Sequence, residues 1–143
     1  MTGIVIALIS GALMSIQGVF NTEVSKQTSL WVSNSWVQFS ALVICLGAWL
    51  FKDRQSFVRL LQVDHKYLLL GGVIGAFITL TVMLSMKNLG PAQAALLIVV
   101  SQLAVAYVIE LFGWFGTEKA EFSWIKLGGM ALAVVGIVIF KWK

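Results

Sequence analysis

Five long apolar stretches, separated by short polar connections, account for most of this 143-residue chain. A helix rises about 1.5 Å per residue, so roughly 20 apolar residues cross a hydrocarbon core about 30 Å thick. Each stretch is near that length, and none shows the polar–apolar alternation of barrel strands. The pattern therefore predicts an all-α membrane protein, one domain over residues 1–143 with five transmembrane helices: Gly3–Phe20, Val32–Phe51, Tyr67–Met86, Ala92–Trp114 and Trp124–Phe140.

Composition and charge agree with a chain whose main solvent is lipid. Hydrophobic residues make up 59% of the chain and charged residues only 11%. The net charge is +4, but the basic residues are scattered singly through loops and span ends, so no nucleic-acid surface is expected. An odd number of spans places the two termini on opposite sides of the bilayer.

The basic residues also bear on orientation. The side of the membrane that holds the N-terminus carries six Lys and Arg residues, and the other side carries four. The positive-inside rule therefore favours a cytoplasmic N-terminus. The margin is only two charges, so insertion in both orientations stays open. The two sets are Lys52, Arg54, Arg59, Lys66, Lys119 and Lys126 against Lys26, Lys87, Lys141 and Lys143.

The chain offers little to an enzyme or a metal site. Cys45 is the single cysteine and His65 the single histidine, which gives neither an internal disulfide nor a metal-binding pair. No nucleophile–base set or phosphate-cradling loop is present either. We therefore expect no cofactor, no metal and no catalysis.

The connection Lys52–Lys66 is the longest polar segment. Phe57, Leu60 and Leu61 stand at helical spacing among basic residues, which is typical of a short amphipathic helix at the membrane surface. An ordinary solvated loop with some apolar anchoring fits equally well. Between spans three and four, Gly90 and Pro91 predict a helix stop followed by a helix start.

The first span carries a stripe of polar side chains. Ser10, Met14, Gln17 and Asn21 recur at spacings of four, three and four, which places them on one helical face. A carboxamide in hydrocarbon is costly without a partner, so this face should meet protein or a watery cavity. It either lines a path for a polar solute or fastens the helix to its neighbours. Gln102, the deepest amide of span four, is the best central solute contact.

Three segments of the chain carry a recognisable family pattern. They are "GALMSIQGVFNTEVSK", "NLGPAQAALLIVVSQ" and "ELFGWFGTEKAEFSWIKLGGMALAVVGIVIF", with a Gly-Pro-Ala helix start, a Gly-x-Glu turn and a Gly-rich last span. By these segments the sequence resembles, over essentially its whole length, the YdcZ-like family of five-span proteins within the drug/metabolite transporter superfamily. At the position of Glu110 that family typically has Asp.

The resemblance implies half of a transporter. Larger members of the superfamily look like two five-span units in inverted orientations, so a single unit would pair with an inverted second copy as an antiparallel homodimer. The expected location is a bacterial inner membrane, with a small-molecule solute as partner. We expect a secondary transporter that moves a small polar or amphipathic organic metabolite by alternating access through a site at the dimer interface. A small ion channel and a non-transporting scaffold or accessory subunit are the alternatives.

Three further features are candidates under this hypothesis. Glu110 lies four residues before Trp114, about 6 Å of helical rise from the interface, and is the candidate for proton coupling. Snorkelling to water or pairing with Lys119 would accommodate it equally well. The in-span aromatics Trp36 and Tyr107 are candidate solute contacts, with packing inside the bundle as the alternative.

The last span has a face of small residues. Gly129, Ala133 and Gly136 follow one another at spacings of four and three, and small side chains let helices approach closely. The face is similar to the final-helix dimerisation face of the related small multidrug-resistance transporters, which implies dimer packing. Packing within one subunit, against the cluster Gly71, Gly72 and Gly75, is the alternative.

Overall fold

The computed structural model describes residues 2–141, and it confirms that this part of the chain is all-helical. It contains no strand in that range. Short 3-10 and π-helical segments lie in two of the connections between the described α-helices. The five α-helices are α1 (Thr2–Gln27), α2 (Leu30–Ala48), α3 (Gly71–Leu89), α4 (Pro91–Phe112) and α5 (Trp124–Lys141).

The chain divides into two compact units at Asn88 and Leu89. The N-terminal unit holds α1, α2 and nearly all of α3. The C-terminal unit holds α4, a 3-10 turn at Trp114–Gly116 and α5. Each unit therefore has its own set of helix contacts.

Four helical segments are long and apolar enough to cross a membrane. Few of their residues are buried, and a helix that is apolar on every side is typical of contact with lipid. The fifth apolar helix, Trp124–Phe140, is shorter, so its crossing stays a prediction. The four segments are Thr2–Gln27, Leu30–Asp53, Lys66–Leu89 and Pro91–Phe112.

Helix α1 continues for two turns beyond Phe20, the end that hydropathy predicts. Its polar last part is held by local bonds: Thr22 Oγ1 donates to Gly18 O at 2.7 Å, and Lys26 Nζ pairs with Glu23 Oε1 at 2.6 Å. Hydropathy marks where the apolar surface ends, whereas the helical backbone continues to Gln27. Ser29 then caps α2, because its side chain accepts from Val32 N at 3.1 Å.

Glycines end α3 and α4. Gly90 has a φ of +81° and Pro91 opens α4, which confirms the predicted stop and start. Gly113 has a φ of +64°, and its N–H donates to the Glu110 carbonyl at 3.3 Å. Helix α4 therefore ends at Phe112, two residues before the predicted Trp114.

The centre of the N-terminal unit is small and sulfur-rich. Met83 is fully buried and Met86 nearly so, both on α3. Next to them lies a band of buried polar side chains at the facing ends of α1 and α2: Asn21, Thr22, Ser25, Ser33 and Asn34. This unit is therefore held by polar contacts as well as apolar packing.

Candidate solute site

One face of α1 forms the wall of an open pocket of about 490 Å³. Gln17 and Asn21 line it together with Ser10 and Met14, as their spacing predicts. The remaining wall is apolar. It consists of Leu13, Ile16 and Phe20.

The two amides of this pocket differ in their surroundings. Gln17 is exposed, and its side chain has no hydrogen bond to another described residue. Asn21 is buried to about nine-tenths, and its backbone carbonyl accepts a 2.8 Å hydrogen bond from Ser33 Oγ on α2. Gln17 is therefore free to bind a solute, while Asn21 also joins the pocket to the next helix.

A second polar cluster, between α2 and α3, did not enter the sequence hypothesis. Asn34 Nδ2 donates to Ala76 O at 3.1 Å, and Gln38 Nε2 donates to Thr79 Oγ1 at 3.3 Å. The signal was present, because Asn34 and Gln38 stand four residues apart in an apolar span. These bonds match the bundle-fastening alternative considered for α1.

Asn34 also carries an unsatisfied acceptor. Its Oδ1 is buried without a hydrogen-bond partner among the described residues, although its Nδ2 is bonded. A buried acceptor without a donor costs about 1–3 kcal/mol. Among the described residues, the fold therefore leaves Asn34 Oδ1 buried without a donor.

Trp36 is on α2 and does not line the α1 pocket. It is exposed, lies 6.2 Å from the Phe39 ring between centroids, and lines a separate open pocket of about 450 Å³ on α2. The other walls of that pocket are Trp31, Val32 and Ser35. The proposed contact of Trp36 with the same solute as Gln17 therefore stays a prediction.

In the C-terminal unit, Tyr107 joins α4 to the start of α5. Its hydroxyl accepts from Ser123 N at 2.8 Å and lies 3.4 Å from Ser123 O, and the residue is buried. Gln102 is exposed on α4 and has no hydrogen bond to another described residue. Tyr107 therefore joins α4 to the residue before α5, and the contacts of Tyr107 and Gln102 with a solute stay predictions.

Glu110 pairs with Lys126 of α5, at 3.5 Å between Oε2 and Nζ, and not with the suggested Lys119. Both side chains are about half exposed. Lys126 Nζ also lies 5.3 Å from the centre of the Tyr107 ring. Ala120 N donates to Glu110 O at 2.8 Å, so the connection between α4 and α5 folds back onto the end of α4.

The small-residue face of α5 is uncovered within the C-terminal unit. A Cβ built at Gly129 or Gly136 meets no atom of the described part of that unit within 4 Å, and Ala133 is partly exposed. The same test at Gly71, Gly72 and Gly75 meets nothing within the N-terminal unit. Neither small-residue cluster is therefore covered by another part of its own unit.

Within residues 2–141, no group of three or more His, Cys, Asp or Glu side chains is placed to hold a metal ion. The described side chains offer hydrogen bonding by amides and hydroxyls, apolar contact and two exposed ion pairs, Glu23–Lys26 and Glu110–Lys126. These are the means by which a protein binds an organic solute reversibly.

Comparison with protein families gives a match over residues 2–139, to a model for YdcZ, described by its proposed role as an inner membrane exporter. Neither the search of curated proteins nor the search of solved structures found a match. The family match and the four apolar helices together make this an integral, multi-pass protein of the inner membrane with a general role in transport.

Proposed function

Because the chain belongs to the YdcZ family, we propose that it is a secondary exporter of a small polar or amphipathic organic metabolite. The observation that supports this most strongly is the α1 pocket. An unpaired amide, Gln17, lines an open space of about 490 Å³ whose other walls are mostly apolar. That volume lies within the range of small-molecule sites, which is roughly 300–1,000 Å³.

The walls of the pocket suggest the chemistry of the solute. Gln17 offers two N–H donors and a carbonyl acceptor, and Ser10 adds a hydroxyl. Leu13, Ile16 and Phe20 offer apolar contact. A solute with one polar group and a short hydrocarbon or aromatic part would satisfy both surfaces.

The pocket is lined from one helix only, so a transport site needs further walls. We propose that a second copy of the chain, inserted the other way, supplies them in an antiparallel homodimer with alternating access. An inverted pair of five-span units places a shared site near the middle of the membrane. The uncovered face at Gly129, Ala133 and Gly136 is the proposed dimer contact.

The other proposed solute contacts differ in how available their side chains are. Gln102 keeps a free amide and is the second solute contact in this proposal. Trp36 offers an exposed ring, whereas the hydroxyl of Tyr107 is already bonded to Ser123. Asn21 contributes from the inner end of the α1 pocket.

Glu110 is the proposed proton-coupling group. Its pairing with Lys126 supports this only in part, since a half-exposed ion pair also forms without any role in transport. The test is proton-driven transport by Glu110→Gln in liposomes. Loss of the pH dependence with normal counterflow supports coupling, and an unchanged pH dependence removes Glu110 from the mechanism.

The function is tested by counterflow of labelled solutes in liposomes containing the purified protein. A carrier exchanges solute across the membrane with saturation, and we expect this for at least one small amphipathic compound. Large currents without saturation would instead indicate a channel. The absence of any flux across a broad panel would indicate a scaffold or accessory subunit.

The antiparallel arrangement is tested by disulfide crosslinking along α5 in a Cys45→Ala background. If the α5 helices of two inverted copies cross near Ala133, a Gly129→Cys chain should crosslink to a Gly136→Cys chain. A parallel pair would crosslink Gly129→Cys to itself and would contradict the proposal. Leu132→Cys, on an exposed neighbouring face, is the matched control and should not crosslink.

A further inference from the structure

The connection between α2 and α3 contains a two-sided 3-10 helix, Phe57–Gln62. A 3-10 helix has three residues per turn, so residues three apart lie in one row. Phe57 and Leu60 form one apolar row, Val58 and Leu61 form a second, and Arg59 and Gln62 form a polar row. The four apolar side chains are all about half exposed or more. The 3-10 helix thus separates apolar from polar side chains more completely than the α-helical spacing expected from the sequence.

The chain on both sides holds this helix close to the membrane. The apolar segment before it ends at Asp53, and the one after it begins at Lys66. A connection this short does not cross the bilayer, so both of its ends lie on the same side of the membrane. The 3-10 helix therefore lies within a short distance of the headgroups.

Local contacts fold the connection back onto the end of α2. Trp49 Nε1 donates to Gln55 O at 2.8 Å, and the rings of Trp49 and Phe57 lie 4.8 Å apart between centroids. Ser56 caps the 3-10 helix by accepting from Val58 N at 3.3 Å. The apolar rows are thus presented by an ordered segment that starts at the membrane boundary.

The flanking charge is basic. Four basic residues and two acidic ones, Asp53 and Asp64, give residues 52–66 a net charge of +2 with His65 neutral. Arg54 is held by the backbone, since its Nε donates to Leu50 O at 2.7 Å. This bond uses one of the five guanidinium donors and leaves the two terminal nitrogens for a phosphate oxygen. The basic residues are Lys52, Arg54, Arg59 and Lys66.

We propose that residues 52–66 dock onto anionic phospholipid headgroups of the membrane that the chain spans. The two apolar rows insert at the interface, and the basic side chains bind the headgroup phosphates. This surface is separate from the α1 pocket and does not depend on the proposed transport function.

Two features favour a lipid surface over other occupants. A second copy would present the same basic segment, so a symmetric contact between two such segments would place like charges together. A free phosphate ion would satisfy the basic groups but would leave Phe57, Val58, Leu60 and Leu61 in water. An anionic bilayer surface would bind the basic groups and also remove the four apolar side chains from water.

The test places an environment-sensitive fluorophore on Leu61→Cys in a Cys45→Ala chain. The protein is reconstituted in vesicles of phosphatidylcholine alone or with phosphatidylglycerol, and neutral acrylamide is the quencher. We expect severalfold weaker quenching with phosphatidylglycerol than without it. Gln62→Cys, on the polar row of the same helix, is the matched control and should stay accessible in both vesicles.

A second variant separates charge from apolar insertion. Lys52→Gln, Arg54→Gln and Arg59→Gln together should remove the effect of phosphatidylglycerol on Leu61→Cys. Equal quenching at positions 61 and 62 in both vesicles would overturn the proposal in favour of a solvated loop. Protection of Leu61→Cys that is equal with and without phosphatidylglycerol would also overturn the proposal. So would protection that increases with protein density, or protection that free phosphate produces in vesicles of phosphatidylcholine alone.

Discussion

Gly18 of α1 lies directly against the end of the Met86 side chain of α3. A Cβ atom built at position 18 would stand 2.5 Å from Met86 Cε and 2.8 Å from its Sδ. Real Cβ atoms do not approach so closely, so a side chain at position 18 would require the flexible end of Met86 to move. The contact lies one residue after Gln17 and therefore helps to fix the face that carries the α1 pocket.

Gly18→Leu should destabilise the N-terminal unit by about 1–3 kcal/mol, the usual cost of an overpacked site. The measurement is the midpoint of thermal unfolding in detergent. Gly11→Leu, on the same helix with no atom of its unit within 4 Å, is the control and should have little effect. Adding Met86→Ala to Gly18→Leu should restore part of the loss, and a further loss would contradict the contact.

Ser33→Ala should cost about 0.5–1.5 kcal/mol, because Ser33 Oγ donates to Asn21 O in the buried part of the unit. Ser35→Ala removes a hydroxyl from the exposed face of the same helix and serves as the comparison. The midpoint of thermal unfolding in detergent should be lower for Ser33→Ala than for Ser35→Ala. Equal midpoints for both would mean that the Ser33 bond does not stabilise the unit.

Tyr107→Phe should destabilise the C-terminal unit by about 1 kcal/mol, because Ser123 N loses its acceptor. If Tyr107 acts only by joining α4 to α5, the KM of counterflow should stay near that of the parent protein. A raised KM with an unchanged unfolding midpoint would instead assign the hydroxyl to the solute.

The exposed pair of Glu110 and Lys126 should add little to stability. Half-exposed ion pairs contribute about 0–1 kcal/mol, so Lys126→Met should move the unfolding midpoint only slightly at low salt. The same experiment at high salt should show no difference from the parent. A loss of several kcal/mol would mean that the pair is shielded from water in the assembled protein.

Local signals in the sequence predicted most of the fold. Gly90 and Pro91 set the boundary between α3 and α4, and the apolar stretches located the helices, because these effects depend on neighbouring residues alone. The extension of α1 to Gln27 was missed, since its last turns are polar and hydropathy marks only the apolar part of a helix.

Contacts between distant residues could not be read from the sequence. Spacing correctly placed Gln17 and Asn21 on one face, but it did not show that Asn21 O meets Ser33 across two helices. Pairing with Lys119 was one of the alternatives open for Glu110, whereas the folded chain pairs Glu110 with Lys126. Such pairings depend on how the chain returns on itself, which periodicity does not encode.

The central claim is that the polar face of α1 contacts the transported solute. Its most direct test is counterflow by Gln17→Leu in liposomes, compared with Gln27→Leu, the same change at the end of the same helix and outside the pocket. The proposal predicts that Gln17→Leu loses most of its exchange while remaining folded and inserted, and that Gln27→Leu keeps parent rates. Full exchange by Gln17→Leu, or an equal loss in both variants, would contradict it.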